Sequence, residues 1–77
     1  MLTGAQIKAG RSLVGWSQNE LARRAKLEVA TVQRAEKTES EANIKVAHAH
    51  AIRRTLEAAG VEFTNGDVAS VRMSGKV

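Results

Sequence analysis

The sequence predicts a mainly α domain: four helices followed by a C-terminal β-hairpin. Three observations predict it. A helix-start pattern recurs through the first third of the chain, apolar residues then recur at spacings of three and four as far as Gly60, and beyond Gly60 the spacing changes to two. At 77 residues the chain makes one domain.

The first helix begins at Thr3. Thr3 and Gln6 have the spacing of a capping box, and Leu2 and Ile7 occupy the staple positions around it. The same device returns with Ser17 and Glu20 as the box and Trp16 and Leu21 as the staple. Leu27 and Val32 keep the staple spacing around Glu28, a poorer cap than serine or aspartate. Helix starts are therefore expected near residues 3, 17 and 28, and Gly15 suits a tight exit from the first helix. The second helix is expected over about 18–25, with Leu21, Ala22 and Ala25 inward. The third is expected over about 29–37, with Val32 and Ala35 inward and Ala30, Gln33, Arg34 and Lys37 on the opposite stripe. The small side chains at 22, 25 and 35 let two helices cross closely, as a helix-turn-helix requires.

Residues 38–43 are polar and predict a loop. A longer helix is expected over about 44–59, with Val46, Ala49, Ile52, Leu56 and Ala59 as its apolar stripe. Gly60 stops it, and Val61 is placed to pack back on Leu56. Val61 and Phe63 then alternate with polar residues, Asn65-Gly66 is a hairpin turn signal, and Val71 and Met73 alternate again. A strict two-residue turn would set Phe63 opposite Val68 and put Val71 and Met73 on the wrong face. A longer loop or a bulge is expected instead, with the register open, and residues 74–77 are expected to fray. Residues 1–60 thus form the helical part, with the helix-turn-helix at 17–37. Residues 61–77 form the hairpin of the same domain.

Composition narrows the function. There is no cysteine, hence no disulfide and no thiolate-bound metal. Below roughly 80 residues a single core is marginal, and dimerisation is a common remedy. No apolar run approaches the roughly 18 residues of a membrane span, and the N-terminus has no signal-peptide pattern, so the expected location is the cytoplasm. The net charge of +4 is localised: residues 1–37 carry seven Lys or Arg against three Glu, and residues 38–77 balance to zero. A localised positive field favours polyanions through counterion release. Catalysis is not expected. Ser12 and Ser17 have no histidine and carboxylate arranged near them, and there is no glycine-rich phosphate loop. His48 and His50, two apart on a helix, point in different directions and cannot chelate one metal together. No metal or cofactor is expected. Trp16 is expected to be a core residue rather than a stacking platform, and Arg53 and Arg54 to face solvent or a partner.

The run Gly15-Trp16-Ser17-Gln18 through Ala25, with its S-Q-x-E-L-A opening, and the run Ala30-Thr31-Val32-Gln33-Arg34-Ala35-Glu36 resemble the lambda-repressor/Cro-like (XRE) helix-turn-helix domains. The segment from Ile52 to Phe63 and the later Val71-Arg72-Met73 are similar to the tail of small stand-alone bacterial or phage members. The resemblance implies a four-helix lambda-repressor-like fold that binds double-stranded DNA with the third helix in the major groove. It places Val29, Ala30, Thr31 and Arg34 against base edges, with Gln33 at the margin; Glu28 adjoins them at the start of the helix. It places Gln18, Lys37 and Asn43 against phosphates, and Arg11 with Glu36 in a structural ion pair between the first and third helices; the start of the second helix at Ser17 offers free backbone N–H groups to a phosphate as well.

Three residues depart from the family pattern. Lys26 stands where the turn between the two helices usually has glycine, Glu28 replaces a serine or threonine cap, and Thr38 replaces the glycine that commonly ends the third helix. Val29 and Ala30 cannot donate hydrogen bonds, but apolar side chains pack on the thymine methyl group. Glu28 can accept from a cytosine amino group, and Arg34 can make a bidentate contact to guanine. The expected function is a transcriptional regulator, most simply a repressor, binding a two-fold operator as a homodimer. Val61, Phe63, Val71 and Met73 supply the expected dimer face. The alternative is a protein-binding module, an anti-activator or antitoxin-like partner, suggested by the apolar Val29-Ala30 tip beside Glu28. Any regulatory signal would come through concentration, proteolysis or a partner protein.

Overall fold

The computed structural model describes residues 2–37, 45–63 and 71–73. Four helices, α1 Gly4–Val14, α2 Gln18–Ala25, α3 Val29–Glu36 and α4 Val46–Ala58, precede two short strands, β1 Val61–Phe63 and β2 Val71–Met73. The first three helix starts fall where the caps predict. Thr3 makes a complete capping box, its hydroxyl accepting from the Gln6 amide (3.1 Å) while its own amide donates to the Gln6 side chain (2.8 Å). Ser17 makes half of one. Its hydroxyl accepts from the Glu20 amide, but the Glu20 carboxylate turns away to Arg23 and Arg24. Two charged donors outcompete one neutral backbone N–H for that carboxylate. Glu28 starts α3 with no side-chain cap bond.

Gly15 leaves α1 with φ +72°, the left-handed conformation for which glycine has no Cβ penalty. The turn after α2 needs the same geometry and lacks the glycine. Lys26 sits at φ +59°, ψ +42°, the one non-glycine residue with positive φ among the described residues. Glycine's absence therefore does not reroute the chain. The turn accepts a strained lysine instead, at a cost on the order of 1 kcal/mol. At the end of α3, Lys37 is right-handed (φ −73°, ψ −21°), so that exit makes no demand for glycine at 37. Thr38, the expected loop and Asn43 lie outside the described residues.

Leu2, Ile7, Leu21, Ala22, Val32, Ala35, Ile52, Leu56 and Val61 form one core, to which all four helices and β1 contribute. α4 begins at Val46, later than expected, and supplies Ile52 and Leu56. Val46 is 85% exposed rather than part of the apolar stripe. As the first residue of the helix it stands about 9 Å along the axis from Ile52, beyond the reach of the core. Gly60, at φ +103°, turns the chain from α4 into β1.

The hairpin pairs antiparallel, Val61 with Met73, Glu62 with Arg72 and Phe63 with Val71. This register excludes the two-residue turn and requires the longer connection, since Phe63 faces Val71 rather than Val68. Asn65-Gly66 and residues 74–77 lie outside the described residues. One face of the hairpin carries the exposed Glu62–Arg72 ion pair (3.1 Å). The other lies across α1 and α4. Its seat on α1 is Gly10, where a Cβ would come within 3.3 Å of Leu56 and Val61 and 3.5 Å of Phe63. A helix interior normally disfavours glycine, and here close approach explains it.

Candidate nucleic-acid interface

The carboxylate of Glu36, at the end of α3, organises the helix-turn-helix. Arg11 of α1 grips it with both arms of its guanidinium, Nε donating at 2.8 Å and Nη2 at 3.1 Å. Gln18, the first residue of α2, donates its side-chain amide to the same carboxylate at 3.0 Å. The third guanidinium nitrogen of Arg11 donates to the Trp16 carbonyl at 2.8 Å, which fixes the link between α1 and α2. The Glu36 side chain is only 4% exposed and that of Arg11 16%. Three helices are thereby tied at one buried charge, and the end of α3 is held beside the start of α2. The ion pair expected between Arg11 and Glu36 is present. The additional bond from Gln18 explains how that residue can buttress α3, a detail that spacing in the sequence does not carry.

With Val32 and Ala35 buried, α3 turns the opposite stripe outward. Ala30, Gln33, Arg34 and Lys37 are exposed and, at spacings of three and four, share one face. Arg34 and Lys37 have no carboxylate partner among the described residues. Glu28 is exposed at the start of the stripe. Thr31 is half-buried, and Val29 is half-buried and packed against the core, which leaves Ala30 as the more accessible apolar contact. Ser17 is exposed beside Gln18, its oxygen accepting the capping bond while its hydroxyl hydrogen can still donate.

Elsewhere on α2 the cations are engaged. Glu20 bonds Arg23 (2.7 Å) and Arg24, and these guanidiniums, that of Arg23 first, hold its carboxyl below the ordinary value of 4.5. The same contact raises Arg23. Arg24 also lies over the Trp16 ring, 4.6 Å from its centroid. Trp16 packs against the core with part of its ring outside, rather than standing free as a platform.

The four residues of the expected dimer face are placed unequally. Val61 is 2% exposed and belongs to the chain's own core, and Phe63 and Val71 pack against that core. The alternation that makes one hairpin face apolar serves here to cover α1 and α4. Met73, 42% exposed, is the most exposed of the four, and Phe63 and Val71 are half-buried. Among the described residues no three His, Asp or Glu side chains lie close enough to hold a metal ion, and no helix is long and apolar enough to cross a membrane.

Fold and site together define a small helix-turn-helix domain with a cationic, outward-facing stripe on its third helix. No protein-family model matches the chain, and no curated protein matches it.

Proposed function

We propose that this protein is a cytoplasmic, sequence-specific DNA-binding regulator of the lambda-repressor/Cro-like kind, most simply a repressor, which places α3 in the major groove. The observation that carries the proposal is the exposed stripe Ala30, Gln33, Arg34 and Lys37, held in orientation by the buried Arg11–Glu36–Gln18 clasp. A rigid helix presenting one guanidinium, one amide and one methyl group has the chemistry to distinguish guanine, adenine and thymine edges. Lys37, Gln18 and Ser17 flank it as phosphate contacts, and the excess positive charge of residues 1–37 supplies the salt-dependent part of the affinity. Glu28 contributes a preference for cytosine.

One reading helix covers few base pairs, so operator specificity at this size calls for a homodimer on a two-fold site. Met73 is the hairpin's apolar contact for the second copy. Met73→Asp, at an exposed position, is expected to shift the protein to monomer in sedimentation with its helical circular dichroism intact. An unchanged dimer would remove the hairpin from the interface. The protein-docking alternative has less support. It rests on an apolar Val29–Ala30 tip, and Val29 is partly withdrawn onto the core.

Selection from random duplexes is the test. The wild type is expected to enrich an inverted repeat with a fixed guanine in each half, and Arg34→Ala to relax that position at a cost of about 1–3 kcal/mol. Recovery of random sequence by the wild type would refute the proposal.

A further inference from the structure

A groove of about 650 Å³ runs between the end of α2, with the turn that follows, and the second half of α4. Trp16, Arg24 and Lys26 line one side, and Ala51, Arg54 and Ala58 the other. No residue of α3 takes part, so the groove is separate from the stripe proposed to meet DNA.

Its chemistry is two-sided. Arg24, Lys26 and Arg54 are all exposed at its walls, and among the described residues no carboxylate lines it. Neither Lys26 nor Arg54 has an ion-pair partner among the described residues. Arg24 is shared with Glu20 and spread over the Trp16 ring, where it forms a flat, charged plate. The alanines of α4 give the groove an apolar floor. The hydroxyl of Thr55, which also lines the groove, is satisfied by the Ala51 carbonyl at 2.7 Å and makes no demand on an occupant. The volume lies within the range of about 300–1,000 Å³ typical of small-molecule sites. A simple inorganic anion would use the cations and waste the floor, whereas a neutral hydrocarbon would leave Lys26 and Arg54 without a counter-charge among the described residues.

We propose that this groove binds a small amphipathic anion: a flat apolar body against Trp16 and the α4 alanines, with a carboxylate or phosphate held by Lys26 and Arg54. Guanidinium and ammonium groups bind an anionic group through charge-assisted hydrogen bonds, the stronger class of such bonds. The apolar body supplies the remainder through burial.

Trp16 is the only tryptophan in the chain and so reports occupancy directly. The test is fluorescence titration of the full chain, without DNA, by phenyl phosphate, inorganic phosphate and phenol. Phenyl phosphate is expected to produce a saturable change at concentrations at which the other two do not. Arg54→Ser is expected to weaken it roughly tenfold or more, as loss of a charged hydrogen bond implies. Ala58→Glu, which puts a carboxylate on the exposed floor, is expected to abolish it. Lys8→Ser removes the same charge from an exposed position on α1 outside the groove, and is expected to leave binding unchanged. Circular dichroism checks that each variant keeps its fold. No saturable change, equal binding of inorganic and phenyl phosphate, or an equal loss in Lys8→Ser would each overturn the proposal.

Discussion

Replacing Arg11 by methionine would leave the Glu36 carboxylate, 4% exposed, with the Gln18 amide as its remaining donor among the described residues. Removing one partner of a buried pair costs about 3–5 kcal/mol, because the other charge stays desolvated. A domain of this length has about 4–12 kcal/mol of stability in total, at 0.05–0.15 kcal/mol per residue. Arg11→Met should therefore remove a large part of it and lower Tm by about 12–40 °C, at 4–8 °C per kcal/mol. Glu36→Leu should cost somewhat less, since Arg11 is 16% exposed and keeps the Trp16 carbonyl. The double variant Arg11→Met/Glu36→Leu should be more stable than Arg11→Met alone, because an apolar pair leaves no buried charge. Urea denaturation followed by circular dichroism measures all three. A cost below about 1 kcal/mol for Arg11→Met, the range of exposed ion pairs, would refute the view of this clasp as buried and organising.

Two further outcomes follow from local geometry. Lys26→Gly should raise stability by up to about 1 kcal/mol, since relief of the left-handed strain exceeds the added entropy of the unfolded chain; a lower melting temperature would contradict this. For Glu20 the sign follows from its depressed pKa. A carboxyl held below its unfolded value of 4.5 by Arg23 and Arg24 stabilises the fold above that value, and the contribution is lost as pH falls through the folded pKa. The wild type should accordingly be more stable than Glu20→Gln at neutral pH. The difference should shrink below pH 4.5 in thermal melts, and one that stays constant down to the acid limit would contradict it.

The helix starts were legible in the sequence because a cap and its staple are local: Thr3 with Gln6, and Ser17 with the Glu20 amide, lie within one turn. What Glu20 does with its carboxylate was less legible, because two arginines one turn on compete for it. The inward faces of α2 and α3 followed from periodicity, and the strain at Lys26 followed from the turn's need for a left-handed residue. The hairpin's apolar face was legible as a face but not as to what covers it. Alternation cannot distinguish packing on Gly10 and Leu56 from packing on a second copy. Val46 obeyed the spacing of the stripe, yet periodicity does not say where the core ends. The Gln18–Glu36 bond and the groove between Trp16 and Arg54 join residues far apart in the chain, and only the tertiary arrangement brings them together.

The most direct test of the central claim is the affinity of the protein for its selected duplex against a shuffled duplex of equal length, at several salt concentrations. The predicted result is roughly a thousandfold preference for the selected duplex together with a steep loss of affinity as salt rises. Equal, weak binding to both duplexes would mean that the basic half of the chain responds to charge alone, and would contradict α3 as a helix that reads bases.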